Sequence, residues 1–154
     1  MKVYSECRNL YGLNVSVFAT DTHVLSIRLE ECENDPNDNT AAVFDAFELG
    51  TLSVPLDVSG TLFQKAVWKG ISTIPFGETI TYGELAERIG FPLAVRAVAN
   101  ACGANRFPLL IPCHRVVAKN GIGGFAYGVD VKRKLLSYEA SSIASPEPAA
   151  CRPS

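Results

Sequence analysis

At 154 residues with 47% hydrophobic content and a formal net charge of −2, the chain can bury a sizeable core and is neither a disordered tail nor a polyelectrolyte. No stretch reaches the roughly 18 to 20 apolar residues that a membrane helix needs, and residues 1–6 lack the apolar run of a secretory signal, so a soluble protein of the cell interior with no membrane partner is expected. The five cysteines (Cys7, Cys32, Cys102, Cys113, Cys151) are odd in number and form no C-x-x-C pair, which predicts free thiols in a reducing compartment and no metal; a disulfide or zinc site drawing on Cys7, His23 and Cys32 is the alternative.

The whole-chain charge averages two unlike segments. Residues 1–57 carry 3 Lys/Arg against 10 Asp/Glu, whereas residues 58–140 carry 10 against 5. A basic second half behind an acidic first half suits a nucleic-acid-binding module joined to a non-binding one, with a modest and salt-sensitive phosphate attraction.

In chain order, residues 14–20 alternate apolar with small or polar residues and residues 24–29 nearly do, with Asp21-Thr22-His23 between them, which predicts a hairpin. Residues 30–39 are acidic, contain Pro36 and read as a solvated loop; Thr40 then caps a short helix with Val43, Phe44 and Phe47 on one face, ended by Leu49-Gly50. The chain turns extended over residues 54–60 and passes into a second domain. Thr61 and Gln64 form a capping-box signature ahead of Phe63, Val67 and Ile71 at helical spacing, and Pro75-Phe76-Gly77 breaks that helix. A second capping box, Thr81 to Glu84, opens a helix with Leu85, Ala86 and Ile89 inward and Gly90 as its stop. Pro92 starts another helix, rich in small residues (Ala94, Ala97, Ala99, Ala101), so the pair reads as a helix-turn-helix.

Residues 109–111 are apolar and read as a buried strand leading into Pro112-Cys113-His114-Arg115. Residues 120–124 form a glycine-rich turn. Asp130 caps a last helix, with Val131, Leu135 and Leu136 facing the core and Lys132, Arg133 and Lys134 facing solvent. Residues 141–154, mostly Ala, Ser, Pro and Glu, read as a disordered tail in which Cys151 has no assignable role. Cys113 beside His114 is the best candidate for covalent chemistry, because a neighbouring base and an electropositive surround populate the nucleophilic thiolate.

Several short runs fall in one order at compact spacing: Thr81-Tyr82-Gly83-Glu84-Leu85-Ala86, Ala94-Val95-Arg96-Ala97-Val98, Asn105, Pro112-Cys113-His114-Arg115-Val116, Gly123-Gly124-Phe125 and Glu139. Together, over about residues 62 to 139, they resemble the O6-alkylguanine-DNA alkyltransferases, also called methylated-DNA-protein-cysteine methyltransferases. The resemblance implies an α/β unit followed by a mainly α one: a small ribonuclease-H-like amino-terminal domain over residues 1–57 and a winged-helix domain with a helix-turn-helix over residues 58–140, which binds DNA and carries the site. It implies repair of O6-alkylguanine, and of O4-alkylthymine, in double-stranded DNA by a monomer that takes the alkyl group onto Cys113 once, without a cofactor, in the cytoplasm or, in a eukaryote, the nucleus.

Residue by residue, the resemblance makes Cys113 the acceptor, His114 the base that takes its proton through a bound water, Glu139 the group that orients His114, and Tyr82 the donor to the departing guanine. Arg96 matches the arginine that fills the stack when the damaged nucleotide rotates into the protein from the minor groove, with Ala94, Val95, Ala97, Tyr82 and Arg115 also at the DNA surface. Asn105 supports the site by bonding backbone. Pocket walls are expected from Cys102, Pro108, Val116, Val117, Gly124, Phe125 and Ala126. Tyr127 stands where the family frequently has glycine, which bears on pocket width. Two readings from other classes are a DNA-binding damage sensor that leaves Cys113 unreacted and a cysteine hydrolase; the second lacks an evident oxyanion hole.

Overall fold

The computed structural model describes residues 1–49 and 52–144. A strand at Tyr4–Leu10 (β1) pairs antiparallel with Leu13–Ala19 (β2), and β2 pairs antiparallel with Val24–Leu29 (β3), giving the order β1-β2-β3. The expected hairpin is β2 and β3, with Val15 opposite Leu29 and Val17 opposite Ile27. β1 is an addition to the sequence reading, because its Glu6-Cys7-Arg8-Asn9 run offers no clean apolar alternation. Its turn into β2 is made by Tyr11 and Gly12, at φ 56° and 77°, the left-handed pair that lets a two-residue hairpin turn follow the strand twist.

The helix α1 spans Asp38–Leu49 and lays Val43, Phe44 and Phe47 on the sheet's apolar face. Its cap is one turn earlier than expected. Asn37 Oδ1 accepts from the Thr40 backbone N–H at 2.9 Å while Thr40 Oγ1 accepts from the Asn37 N–H at 3.0 Å, so Asn37 caps and Thr40 is its reciprocal partner within the first turn. The expected stop at Gly50 lies outside the described residues.

Cys102 and Cys113 are free thiols as expected, but for Cys7 and Cys32 the expectation is overturned in favour of the disulfide alternative. β1 carries Cys7 beside the chain leaving β3, where Cys7 and Cys32 form a disulfide with Cα atoms 5.2 Å apart. The bond closes a loop with a sequence separation of 25 and pins the acidic segment to the edge strand. Its reduction, or Cys7→Ser, is expected to cost about 3 kcal/mol of stability, seen as a lower melting temperature with dithiothreitol than without.

In the second half, α2 (Leu62–Ile71) is capped as expected, with Gln64 N–H donating to Thr61 Oγ1 at 3.0 Å and Thr61 N–H to Gln64 Oε1 at 2.9 Å. The short strand β4 (Ile80–Thr81) leads into α3 (Tyr82–Arg88), and α4 (Val95–Gly103) packs across α2 and α3. α4 begins three residues after Pro92, with residues 92–93 still in a turn. Val67, Trp68, Ile71, Leu85 and Val98 form the core between these helices, and the Trp68 indole N–H donates to Ala101 O at 2.8 Å. A parallel strand β5 (Val116–Val117) pairs with β4, and α5 (Val129–Ala144) closes the unit.

Three expectations are corrected here. Residues 109–111 are a turn, not a strand: Asn105 binds Ile111 O at 2.8 Å and the Phe107 N–H at 2.9 Å, which curls this apolar run around its side chain. α5 continues to Ala144 with Ser142 buried, so residues 141–144 belong to a helix; residues 145–154, with Cys151, lie outside the described residues. Lys132, expected in solvent, is fully buried at 0% exposure. The Val131, Leu135 stripe is wide enough at its start to include it.

β3 joins the two halves. Its Val24 exchanges hydrogen bonds with Pro55 O at 2.9 Å and Asp57 N–H at 2.8 Å, while Ile27 N–H donates to Arg106 O at 2.9 Å and Ile27 O accepts from the Tyr127 hydroxyl at 3.3 Å. An edge strand that would otherwise present open hydrogen-bonding groups is thus covered by the linker and by two loops that flank the site.

Candidate active site

Pro112 ends the apolar turn, and Cys113–Arg115 follow as one tight 3₁₀ turn, with Arg115 N–H donating to Pro112 O at 3.0 Å. That turn places consecutive side chains on different sides of the backbone. Cys113 lines a cavity, while His114 and Arg115 point back to α5, where both meet Glu139. The His114 Nε2 forms a short buried hydrogen bond with Glu139 Oε2. Arg115 Nε donates to Glu139 Oε1 at 2.9 Å and its Nη2 to Oε2 at 3.2 Å, and the Gly77 N–H donates to Oε1 at 3.0 Å. Four donors on one carboxylate fix its charge: burial works against ionisation, but His114 and Arg115 outweigh it and bring the Glu139 pKa down to about 2.

His114 is 2% exposed, and burial lowers its pKa although Glu139 raises it. The ring is therefore neutral near pH 7. With Nε2 donating to the carboxylate, Nδ1 carries the lone pair, and this buried nitrogen has no hydrogen-bond partner within the described residues. A base with its orienting partner in place and its acceptor nitrogen unused sits next to the thiol in the chain.

The cavity beside Cys113 measures about 290 Å³ and lies between α4 and the loop before α5. One wall is Ala99, Asn100, Cys102 and Gly103; the other is Gly124, Phe125 and Ala126, with Tyr82 at the start of α3. The Tyr82 hydroxyl donates to Gly124 O at 3.4 Å. A Cβ on Gly123, whose φ is +76°, would lie 3.0 Å from the Tyr82 ring and hydroxyl, so glycine here satisfies both the turn and the tyrosine's approach. Burial raises the Tyr82 pKa, and the two thiols add to that, so the phenol stays protonated and able to donate.

Against Gly124 and Tyr82 of this cavity lies Lys132, whose Nζ donates to Val116 O at 2.7 Å and Gly124 O at 3.0 Å and stands 5.7 Å from the Tyr82 ring centroid. It ties β5 to the pocket loop. Burial raises the Cys113 pKa; the Asn105 amide, the Lys132 charge and the backbone N–H groups of Cys113 and His114 oppose it. Cys102, buried in the same cavity, is pushed up to about 12 by burial and by Cys113, with Lys132 opposing.

Residues 62–141 match the family model described as the 6-O-methylguanine DNA methyltransferase DNA binding domain, more than half of the chain. The chain is 40% identical over 138 residues to the methylated-DNA-protein-cysteine methyltransferase of Methanosarcina mazei, covering 86% of this chain and 87% of that one. This chain belongs to the methylated-DNA-protein-cysteine methyltransferase family. A protein of Acanthamoeba polyphaga mimivirus, named as a probable methylated-DNA-protein-cysteine methyltransferase, is 56% identical over 87 residues, covering 56% of this chain and 58% of its own length. The crystal structure of the Mycobacterium tuberculosis O6-methylguanine methyltransferase superposes with a TM-score of 0.76 at 34% identity, covering 91% of this chain and 94% of that one. A second structure of the mycobacterial protein, in complex with DNA, gives 0.74 at 34% identity, covering 89% and 92%.

Against that family pattern, the structure brings Cys113, Tyr82, Cys102, Gly124, Phe125 and Ala126 around one cavity, with His114 and Glu139 behind it. Asn105 is buried and bonds backbone at Phe107 and Ile111, while Pro108 and Val116 are buried and Val117 is half-buried in β5, so none of these three expected wall residues lines the cavity. Arg96, Val95 and Ala97 are exposed on α4 and Ala94 is half-buried at its start. Arg115 is not on that surface: it is 2% exposed and committed to Glu139 and to Ile74 O, at 2.8 Å. Sequence reading missed Lys132, Ala99, Asn100 and Gly103. A signal existed for Lys132, which stands three residues before Leu135 and seven before Glu139, on the stripe that faces inward.

Proposed function

We propose that this protein repairs DNA by direct, single-turnover transfer of the alkyl group from O6-alkylguanine, and from O4-alkylthymine, to Cys113. The observation that carries the reading is a thiol lining a nucleobase-sized cavity, flanked by a neutral histidine whose far nitrogen is held by a buried carboxylate. His114 Nδ1 receives the thiol proton, directly or through one water; the thiolate attacks the alkyl carbon in line, and the C–O6 bond breaks with its electron pair going to guanine. Tyr82 donates a proton to the guanine ring nitrogen as that charge develops, and proton exchange with solvent restores the phenol. The product thioether is stable, which ends the protein's activity, and side chains supply each group the step needs, so no cofactor enters.

The base must leave the duplex to reach the cavity. The exposed small residues of α4 let its backbone approach the minor groove, and Arg96, which makes no hydrogen bond or ion pair within the described residues, is free to enter the stack in place of the rotated nucleotide. We read the three-stranded sheet with α1 as the ribonuclease-H-like unit, and α2 to α4 with the β4–β5 pair as the winged-helix unit, in a protein acting as a monomer where the DNA resides, in the cytoplasm or the nucleus. Among the described residues no helix is long and apolar enough to cross a membrane.

The test is intact-protein mass after incubation with a duplex bearing O6-methylguanine. Replacement of the thiol hydrogen by one methyl group, on wild type and not on Cys113→Ser, is the expected result. Tight binding with unchanged mass would instead make the protein a lesion sensor.

A further inference from the structure

Arg115 was expected at the DNA surface, and its burial leaves a cation with no role in the scheme above. Each of its three guanidinium nitrogens has a partner, between them both oxygens of Glu139 and the carbonyl of Ile74, and its face lies over Phe76, whose ring centroid is 5.5 Å away. Phe76 and Gly77, which donates its N–H to the same carboxylate, belong to the break between α2 and β4. Burying an ion pair this deeply is a weak way to gain stability, since matched apolar residues do as well. The arrangement is better explained by its effect on the third member of the cluster, His114.

We infer that Arg115 is a positioning residue of this site: by gripping both oxygens of Glu139 it holds the carboxylate at His114 Nε2 and divides its charge between two partners, so that His114 is oriented without being turned into a permanent imidazolium. The inference rests on the proposed alkyl transfer, in which His114 must begin neutral with Nδ1 free. A carboxylate facing a histidine alone pulls the proton onto the ring; one already matched by a guanidinium orients the ring and pulls less. The charged groups around His114 pull in opposite directions. From α5 come Glu139, which favours the imidazolium, and Lys132, which opposes it; from the 3₁₀ turn come Arg115, which opposes it, and Cys113; Tyr11 of the β1–β2 turn and Tyr138 of α5 border the same small cavity. Arg115 is the cation nearest in sequence and shares the acceptor itself. Lys cannot replace it fully, because a single ammonium does not span two carboxylate oxygens and a carbonyl while stacking on Phe76.

The experiment is an NMR titration of the two histidine rings in the resting full-length protein, with the pH-rate profile for methyl transfer measured beside it. His23 is exposed and serves as the internal reference. In Arg115→Met the His114 midpoint and the acid limb of the rate profile are expected to move together to higher pH, by about one unit or more, and Arg115→Lys is expected to fall between Met and wild type. Loss of rate at all pH values with both midpoints unmoved would make Arg115 a purely structural residue and overturn the inference. Should the Met variant fail to melt cooperatively, Arg115→Lys decides alone: a midpoint equal to wild type overturns the inference, and a higher one supports it. The titration needs no alkyl transfer, so a wild type that never gains a methyl group would sink the proposed function while leaving the His114 result to be read on its own.

Discussion

Glu139→Gln is expected to slow methyl transfer by about 10²- to 10⁴-fold while leaving affinity for the same duplex within a few-fold. The amide has the carboxylate's shape and loses its charge and one of its two acceptors. In its place it presents an NH₂ group among four donors, so at least one of His114 Nε2–H, Arg115 Nε–H, Arg115 Nη2–H and Gly77 N–H is left facing another donor. The imidazole then has no anion to stabilise its protonated form and no single acceptor to fix its tautomer. Arg115 also becomes a buried cation without a counter-ion, which is expected to cost about 3 to 5 kcal/mol and to appear in a denaturant midpoint. Rate constants from single-turnover quench, set against affinities measured by gel shift, check this. A parallel fall in the two would assign Glu139 to folding alone.

The same cluster sets an acid limit on the fold. Glu139 has a folded pKa of about 2 against an ordinary value of 4.5, so the unfolded chain binds its proton first; the stability that Glu139 contributes is complete above 4.5 and is lost as pH falls toward about 2. His114, depressed below its ordinary 6.5, adds a loss that starts there, because the unfolded ring takes up a proton that the folded ring refuses. Stability therefore declines from pH 6.5 downward, and the Gln variant, missing the carboxylate, lacks the part of the decline that Glu139 contributes between pH 4.5 and about 2.

The parts of the fold legible in the sequence are those fixed by local chemistry. Thr61 with Gln64 and Thr81 with Glu84 announce helix starts because both halves of each capping box lie within four residues, and the β2–β3 hairpin shows because its apolar side chains alternate. β1 escaped because its strand character comes from pairing with β2 rather than from its own pattern. The 109–111 run misled for a related reason: its apolarity reports burial, which a turn wrapped around Asn105 achieves as well as a strand. At the site, the adjacency of Cys113 and His114 and the helical register of Glu139 are visible in one dimension. Where Arg115 points is not, since a 3₁₀ turn sends neighbouring residues in different directions, and a basic residue in a basic segment reads by default as surface.

Lys132→Met is the substitution that most directly tests what the sequence concealed. A methionine keeps a long unbranched side chain at this buried position and removes three things at once: the donor to Val116 O, the donor to Gly124 O and the positive charge that favours the Cys113 thiolate. The buried Val116 carbonyl left without that donor is expected to cost about 1 to 3 kcal/mol, and the lost bond to Gly124 O, which keeps only the Tyr82 hydroxyl, is expected to loosen the loop that carries Phe125. The electrostatic loss acts on the nucleophile. Each unit by which the thiol pKa rises cuts the thiolate population tenfold, so at neutral pH the transfer rate is expected to fall by about 10- to 100-fold and to recover part of that loss as pH increases. The recovery separates the two contributions. A slowed reaction whose pH profile keeps the wild-type shape would mean that Lys132 only holds the loop, whereas a basic limb displaced to higher pH would mean that its charge reaches the sulfur. The second outcome is expected, because the side chain is fully buried, its charge is among the groups that lower the Cys113 pKa, and both pocket thiols in turn oppose the lowering that burial imposes on Lys132 itself.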